Sequence, residues 1–251
     1  MVKLNTIYNE DCLEGMKRIP DKSIDMILCD LPYGTTACKW DEVIPFEPLW
    51  EQYERVIKDN GAVVLTASQP FTSNLLMSNP KLFRYEWIWE KSMAANFMHL
   101  KRQPAKRHEN ILVFYKKQPT YNPQMESGEP YTDSRKSRKQ ENGTYGKIDI
   151  KPETIVNKGT RYPKSVIEFS NSNNKNVHPT QKPVKLFEYL IKTYTNKGET
   201  VLDNCMGSGT TAIACLNTDR QYIGFELDED YYNVAQDRIK NHKQQLSLIE
   251  V

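Results

Sequence analysis

Two short motifs contain residue types that can bind a nucleoside and act on a base. The first, Asp30-Leu31-Pro32-Tyr33, directly follows the apolar run 24–29. A carboxylate and a carbonyl held by a proline turn can accept both hydrogens of a base amino group, and an aromatic ring can stack on the base. Taken alone, however, this tetrapeptide is better explained as a β-turn with a surface aspartate.

The second motif lies between a predicted strand and a predicted helix, and reads Asp203-Asn204-Cys205-Met206-Gly207-Ser208-Gly209-Thr210-Thr211. Glycines let the backbone approach a ligand closely, and a helix start offers unpaired N–H groups to an anion. Glu226 ends the next predicted strand, 19 residues after Gly207, about the spacing at which a carboxylate binds ribose hydroxyls. A tight packing turn is the alternative, but this context favours a nucleoside cofactor. A phosphate-binding P-loop is disfavoured because no lysine precedes Thr210.

Alternating apolar runs at both ends of the chain predict the elements that position these motifs. A buried strand ending in a tight turn and an amphipathic helix each have a distinct hydrophobic period. We expect strands at 24–29, 62–67, 84–90, 110–116, 200–203 and 221–226, and helices at 46–59, 70–78, 185–194, 209–216 and 229–243. This alternation predicts an α/β fold, a Rossmann-like, doubly wound and mostly parallel sheet. Such sheets bind ligands at the carboxyl ends of their strands, where both motifs lie.

The net charge of +2 conceals a basic middle region. Residues 99–165 hold 15 basic and 7 acidic side chains, whereas the rest of the chain holds 19 basic and 25 acidic. This division indicates a polyanionic partner that contacts one region, although a solvated loop face would explain the charge as well. Few aliphatic residues and five prolines between 117 and 165 predict a loop-rich insertion or a disordered linker.

Several classes of protein are disfavoured by the sequence. No apolar run approaches the roughly 18 residues of a membrane-spanning helix, and the polar N-terminus does not resemble a signal peptide. The five cysteines and four histidines lack metal-ligand spacing, so no metal site is expected. We therefore expect a soluble, cytoplasmic protein.

Together the two motifs resemble those of the DNA amino-methyltransferases, which use S-adenosylmethionine. Asp30–Tyr33 is similar to their catalytic Asp-Pro-Pro-Tyr tetrad, with Leu31 in place of the first proline. Residues 203–211 resemble their cofactor loop, and His178-Pro179-Thr180-Gln181-Lys182-Pro183 resembles their third cofactor motif. The order of tetrad, basic segment and cofactor loop is similar to that of the permuted beta class.

The resemblance implies a methyltransferase fold formed by residues 1–116 and 166–251, with 117–165 as an inserted target-recognition region. It implies methyl transfer from S-adenosylmethionine to an amino group of a base that is flipped out of double-stranded DNA. The aspartate at the head of the tetrad favours N6 of adenine as that amino group. Cytosine-N4 methylation uses the same residues. A protein-glutamine methyltransferase and a noncatalytic DNA-binding module are further alternatives. The family also leads us to expect a homodimer and a restriction-modification context.

The resemblance also assigns roles to individual residues. Asp30, Leu31, Pro32 and Tyr33 are expected to be catalytic, without a metal or a covalent intermediate. Lys182 would face the methionine carboxylate, and Asp11 would accept the cofactor's adenine amino group, cap a helix, or do both. Trp40 and Phe97 are expected to pack rather than line a base pocket. The residues expected to bind S-adenosylmethionine are Asp11, Cys12, Asp30, His178, Thr180, Gln181, Lys182, Asp203, Asn204, Gly207, Ser208, Gly209, Thr210, Thr211 and Glu226.

Overall fold

The computed structural model describes residues 2–36, 38, 41–143, 146–171 and 181–249, with side chains described except at 138–150 and 246–249. The chain forms two units. The first contains Met1–Asn122 and Ser165–Val251, and the second contains Pro123–Lys164. The sequence places the corresponding boundaries after residue 116 and before residue 166.

Fourteen strands and six helices lie in the described part of the chain, with a short 3₁₀ turn at Phe97–His99. No helix of this part has the length and apolarity needed to cross a membrane. In chain order the elements are β1 (Thr6–Asn9), α1 (Cys12–Met16), β2 (Ile24–Asp30), α2 (Phe46–Val56), β3 (Ile57–Ala67), α3 (Phe71–Ser78), β4 (Phe83–Lys91), β5 (His108–Phe114), β6 (Glu126–Ser127), β7 (Tyr131–Arg135), β8 (Arg138–Gly143), β9 (Gly146–Ile150), β10 (Glu153–Asn157), β11 (Thr160–Arg161), β12 (Val166–Phe169), α4 (Val184–Tyr194), β13 (Thr200–Asp203), α5 (Thr210–Asn217), β14 (Gln221–Glu226) and α6 (Glu229–Ile249).

The first unit is built on an eight-stranded sheet in the order β1-β14-β13-β2-β3-β5-β4-β12. Neighbouring strands are parallel except at β5, which runs antiparallel to both β3 and β4. The predicted α/β fold with a mostly parallel sheet is confirmed. Strands β2, β13 and β14 are neighbours and end at Asp30, Asp203 and Glu226, so both motifs lie at one carboxyl edge.

Both faces of the sheet are covered by helices. Side chains of successive strand residues point to opposite faces, and in β2 both sets are apolar. Ile27 and Cys29 join a buried cluster with residues of α1, α2 and α3, whereas Met26 and Leu28 join one with residues of α4, α5 and α6. Burial on both faces explains why β2 reads as a continuous apolar run instead of an alternating one.

The predicted helix at 46–59 is too long at its carboxyl end. Helix α2 ends at Val56, and β3 begins at Ile57, opposite Ile24 of β2. The Lys58 ammonium lies 2.5 Å from the Asp25 carboxylate, which holds this extended segment against β2. A Cβ atom at Gly61 would lie 2.7 Å from the Ile57 side chain, so glycine here permits close strand packing rather than ending a helix.

The second unit contains three antiparallel strand pairs. Strand β7 pairs with β10, β6 with β11, and β8 with β9. Within this unit the Arg161 guanidinium lies 4.7 Å from the centre of the Tyr131 ring and donates to Asn157 Oδ1 at 2.7 Å. These short pairs agree with a loop-rich insertion more than with a disordered linker.

Candidate active site at the carboxyl edge of the sheet

The Asp30 carboxylate is the centre of a hydrogen-bonded group of side chains. Its Oδ1 accepts from the hydroxyl of Thr66, the residue opposite Asp30 on β3, and from the Tyr33 hydroxyl at 2.9 Å. Its Oδ2 accepts from the Lys182 ammonium at 2.6 Å. A carboxylate offers about four lone-pair positions. Described side chains use three of them, which leaves one position, on Oδ2, for another donor.

Lys182 belongs to a buried chain of alternating charges. Its Nζ lies 3.5 Å from Glu109 Oε2, and the other oxygen of Glu109 binds Lys91. Burial alone would lower the pKa of Lys182, but the carboxylates of Asp30 and Glu109 raise it above its ordinary value, so the ammonium stays charged. The family resemblance directs Lys182 to a methionine carboxylate, whereas in this structure it binds Asp30 and Glu109.

Tyr33 presents both a ring and a hydroxyl to the site. The ring stacks on Phe71 with centroids 5.1 Å apart and an interplanar angle of 25°. Burial and the nearby Asp30 charge raise the pKa of Tyr33 well above its ordinary value. The hydroxyl therefore stays protonated and donates a hydrogen bond to Asp30. The sequence predicts a role for the Tyr33 ring alone, and the hydroxyl contact with Asp30 is visible only in the structure.

Asp41 shapes the turn that follows the tetrad. Its carboxylate accepts the N–H groups of Gly34 and Thr35 at 2.9 Å each and of Thr36 at 2.6 Å. Burial alone would raise the pKa of Asp41, but a hydrogen bond from the Thr36 side chain, together with these N–H groups, lowers it below its ordinary value. Sequence reasoning missed this residue, although an acidic side chain shortly after a Gly-Thr-Thr turn is a recognisable acceptor for free turn N–H groups.

An open pocket of about 580 Å³ adjoins the tetrad at Pro32. This volume lies within the range of small-molecule and cofactor sites. The pocket combines apolar surface with carboxylates, as a ligand with a flat ring and several hydroxyl groups requires. Residues that line it include Asp11, Leu13, Ile44, Gly207, Glu226 and Leu227.

The two predicted carboxylates of the pocket are held by backbone N–H groups. Asp11 Oδ1 caps α1, accepting from Leu13 at 2.8 Å and Glu14 at 3.2 Å, while no described residue donates to Oδ2. The expected helix cap is therefore present, and the second oxygen remains available. Glu226 accepts one backbone N–H on each oxygen, from Gly207 at 2.6 Å and Asp228 at 2.9 Å. Burial raises the pKa of Glu226 above its ordinary value.

The two glycines of the loop have different structural roles. Gly207 has φ +53°, and a Cβ atom there would meet no atom within 4 Å, so its absent side chain leaves open space at the pocket. Gly209 has φ +83°, and its Cβ would lie 3.2 Å from Ala235 Cβ on α6. One glycine therefore clears room for a ligand, and the other permits close helix packing.

Two polar side chains of the loop that were predicted to bind the cofactor already have hydrogen-bond partners within the protein. Asp203 is 2% exposed and accepts from the Thr211 hydroxyl and from the Cys205 N–H at 3.0 Å. Burial raises the pKa of Asp203 to about 6. Asn204 lines the pocket, accepts from the Tyr53 hydroxyl at 2.5 Å and donates to Cys12 Sγ at 3.6 Å.

Arg238 of α6 secures the second half of the loop. Its guanidinium donates to the Ser208 carbonyl at 3.0 Å and to the Thr210 hydroxyl at 3.2 Å. The Ser208 hydroxyl donates to Gln181 at 3.3 Å, which connects the loop to the segment before α4. Arg238 was not identified from the sequence, because nothing in a polar helix marks which cation turns inward.

The remaining expectations lie elsewhere. His178, Thr180 and Trp40 fall outside the described residues. Phe97, which was expected to pack, is 72% exposed, so that expectation is wrong. Among the described residues, no three His, Cys, Asp or Glu side chains are grouped as metal ligands.

Comparisons with known proteins find DNA methyltransferases among the relatives of this chain. Type II methyltransferase M1.MboII of Moraxella bovis is 28% identical over 94% of this chain and 96% of its own length. DNA adenine methyltransferase YhdJ of Escherichia coli (strain K12) is 28% identical over 93% of this chain and 82% of its own length.

Solved structures share the fold. A crystal structure of an M1.HpyAVI–SAM complex has a TM-score of 0.61 and 25% identity, covering 93% of this chain and 98% of that chain. PvuII DNA methyltransferase (cytosine-N4-specific) has a TM-score of 0.67 and 14% identity, covering 98% of this chain and 93% of that chain. A family model for N6/N4 methyltransferases, described as DNA methylase, matches residues 24–237. The chain therefore belongs to the N6/N4 DNA methylase family.

Proposed function

We propose that this DNA methyltransferase transfers a methyl group from S-adenosylmethionine to the N6 amino group of adenine in double-stranded DNA. The observation that carries the proposal is the Asp30 carboxylate. Three of its lone-pair positions are filled by described side chains, one remains for an amino hydrogen, and the cofactor-sized pocket begins at the adjacent Pro32.

S-adenosylmethionine is the cofactor, and it supplies an electrophilic methyl group on a sulfonium centre. The pocket residues suit it. The second lone pairs of the Glu226 oxygens are positioned for ribose hydroxyls, and Asp11 Oδ2 for the amino group of the cofactor's adenine. Leu13, Ile44 and Leu227 would contact the faces of the adenine ring.

The tetrad would hold the target base for direct transfer. Asp30 Oδ2 and the Leu31 carbonyl would accept the two amino hydrogens and so direct the nitrogen lone pair towards the pocket. The carboxylate would also stabilise the positive charge that develops on the amino nitrogen. The half-buried Tyr33 ring, backed by Phe71, offers a flat surface on which the base would stack.

The target base must leave the duplex to reach Asp30. Flipping costs a few kcal/mol, which stacking and backbone contacts would offset. The inserted region 117–165, which contains the second structural unit, would supply contacts for target recognition. A homodimer remains an expectation from the family resemblance.

Adenine is favoured over cytosine by the aspartate at the head of the tetrad and by the relative YhdJ, whose name specifies adenine. Cytosine-N4 methylation is the second candidate, because the same acceptors could hold either amino group. The test is methylation-aware sequencing of DNA from cells that express the chain, with the Asp30→Ala variant as the control. We expect N6-methyladenine at one sequence motif only with the intact chain. N4-methylcytosine at that motif would favour the second candidate, and unmodified DNA would contradict both.

A further inference from the structure

A cluster of exposed apolar side chains lies on the loop that joins β4 to β5, residues 92–107. Phe97 is 72% exposed, Met98 80% and Leu100 51%, and we call these three residues the apolar tip. Single exposed apolar residues are common on protein surfaces, but three within four positions form a local patch of the kind that marks an interaction site.

The loop that carries the apolar tip is held by its own hydrogen bonds. The Ala95 N–H donates to the Lys106 carbonyl at 3.0 Å, and the Lys106 N–H donates to Asn96 Oδ1 at 2.7 Å. The Asn96 side chain also donates to the Pro104 carbonyl at 2.9 Å. The two limbs are therefore joined below residues 97–102, and the tip is presented on a defined base.

The base of this loop lies at the same edge of the sheet as Asp30. Strand β4 is parallel to β2 and three positions from it in the sheet, a separation of about 14 Å. From the returning limb, the Lys106 ammonium reaches Ser68 Oγ at 2.5 Å, one residue beyond the end of β3. Because β3 is the neighbour of β2, a duplex that delivers a base to Asp30 would also lie within reach of this loop.

Charge identifies the kind of partner. Residues 92–107 contain four basic side chains and no acidic one, half of the net charge of the basic region 99–165. Lys101 and Arg102 are exposed and directly follow the apolar tip. Apolar side chains flanked by cations are complementary to duplex DNA, where the cations contact phosphates and the apolar groups enter the base stack.

We propose that the apolar tip enters the duplex beside the flipped base. Phe97 would stack in the space that the target base leaves, while Lys101 and Arg102 bind the flanking phosphates. This inference rests on the proposed function, because it requires that the target base is flipped, and it assigns to the loop the task of stabilising that flipped state.

The test compares Phe97→Ala with Met77→Ala on two substrates. Met77 is a matched control, because it is 68% exposed on α3, which leads away from the carboxyl edge. Each variant is given a duplex with a paired target base and a duplex with the same base in a mismatch. Turnover is measured together with the fluorescence of 2-aminopurine placed next to the target.

We expect Phe97→Ala to lose about tenfold or more in turnover on the paired duplex, with a smaller rise in fluorescence, because a base–aromatic stack is lost. Most of the turnover should return on the mismatched duplex, where unstacking costs less. Met77→Ala should match the wild type on both substrates, and Phe97→Trp should keep the paired-duplex activity.

Equal losses of turnover on both substrates, or no loss on either, would overturn the proposal that the apolar tip enters the duplex. So would a Phe97→Ala variant that changes oligomeric state in light scattering, because the tip would then be an interface between copies. Failure of the proposed function is distinguishable, because the wild type would then yield no methylated base on either substrate. The fluorescence of the wild type and of Phe97→Ala would still show whether the apolar tip enters the duplex.

Discussion

The Lys182 ammonium lies 2.6 Å from Asp30 Oδ2, although the two residues are 152 positions apart in the chain. This contact joins the segment before α4 to the carboxyl end of β2. It fixes the carboxylate so that Oδ1 faces Thr66 and Tyr33 while Oδ2 keeps one lone pair free. In the proposed reaction the amino group of the base would bind at that position, directly beside a buried cation.

Glu109 should be needed to position Lys182. Glu109→Gln would remove the negative charge that Lys91 and Lys182 share. Their side chains are only 10% and 7% exposed, and breaking a buried ion pair by removing one partner is strongly destabilising. We expect turnover to fall about tenfold or more and the thermal midpoint to drop, with the KM for S-adenosylmethionine little changed. The control is Glu90→Gln on the neighbouring strand. Its ion pair with Arg107 spans 3.7 Å at the surface and should contribute little. Equal effects of the two variants on turnover would contradict a positioning role.

The Tyr33 hydroxyl should contribute to activity as well as the ring. Tyr33→Phe keeps the stack on Phe71 but removes a donor to a charged group, so we expect about a tenfold loss of turnover with cofactor binding unchanged. Tyr33→Ala should lose considerably more, because it also removes the flat surface for the base. Steady-state kinetics with both variants would show the difference. A fully active Tyr33→Phe would mean that only the ring matters.

Gly207 and Gly198 provide a matched pair for testing the pocket. Both have positive φ, +53° and +80°, and a Cβ atom would meet nothing within 4 Å at either. Alanine should therefore strain the backbone similarly at both positions, but only at Gly207 would the methyl group enter the pocket. We expect calorimetric titration to show weaker S-adenosylmethionine binding for Gly207→Ala than for Gly198→Ala. Equal affinities would place the cofactor elsewhere.

Asp203 should make stability depend on pH. Burial raises its pKa from an ordinary 3.8 to about 6, so the folded state binds the proton more tightly than the unfolded chain does. The resulting stabilisation is complete below the unfolded pKa and is lost as the pH rises through about 6. As the pH rises from 5 to 7, the titration of Asp203 should therefore lower the free energy of unfolding by on the order of 1 kcal/mol.

Urea unfolding of the wild type and Asp203→Asn at pH 5, 6 and 7 measures this contribution. The asparagine has no charge to bury, so the stability advantage of the wild type over the variant should shrink as the pH rises. A constant difference between the two proteins across this range would show that Asp203 does not titrate there.

The sheet and the meeting of the two motifs were predictable from local patterns. Buried strands such as β2 are continuous apolar runs, and neighbouring parallel strands end at a common edge, which brings Asp30 and Glu226 to one side of the sheet. The carboxyl end of α2 was predicted too late in the chain. Ile57 and Lys58 are extended because this segment pairs with β2, a contact between residues distant in sequence.

The residues that sequence reasoning missed act through partners that no local pattern reveals. Thr66 is the last-but-one residue of an ordinary apolar strand, and its role follows from standing opposite Asp30. Glu109 and Arg238 are single charges whose partners come from other elements. Phe97 was expected to pack because apolar residues usually do, a rule that fails at surfaces suited to a partner.

The most direct test of the account is to identify the methylated nucleoside made by the purified chain. DNA is incubated with S-adenosylmethionine carrying a trideuterated methyl group, digested to nucleosides and analysed by mass spectrometry. We expect the heavy methyl group on N6 of adenine with the wild type and none with Asp30→Ala, which should still bind the cofactor in calorimetric titration because Asp11, Glu226 and Gly207 are intact. A heavy methyl group on cytosine, or an Asp30→Ala variant as active as the wild type, would contradict the account.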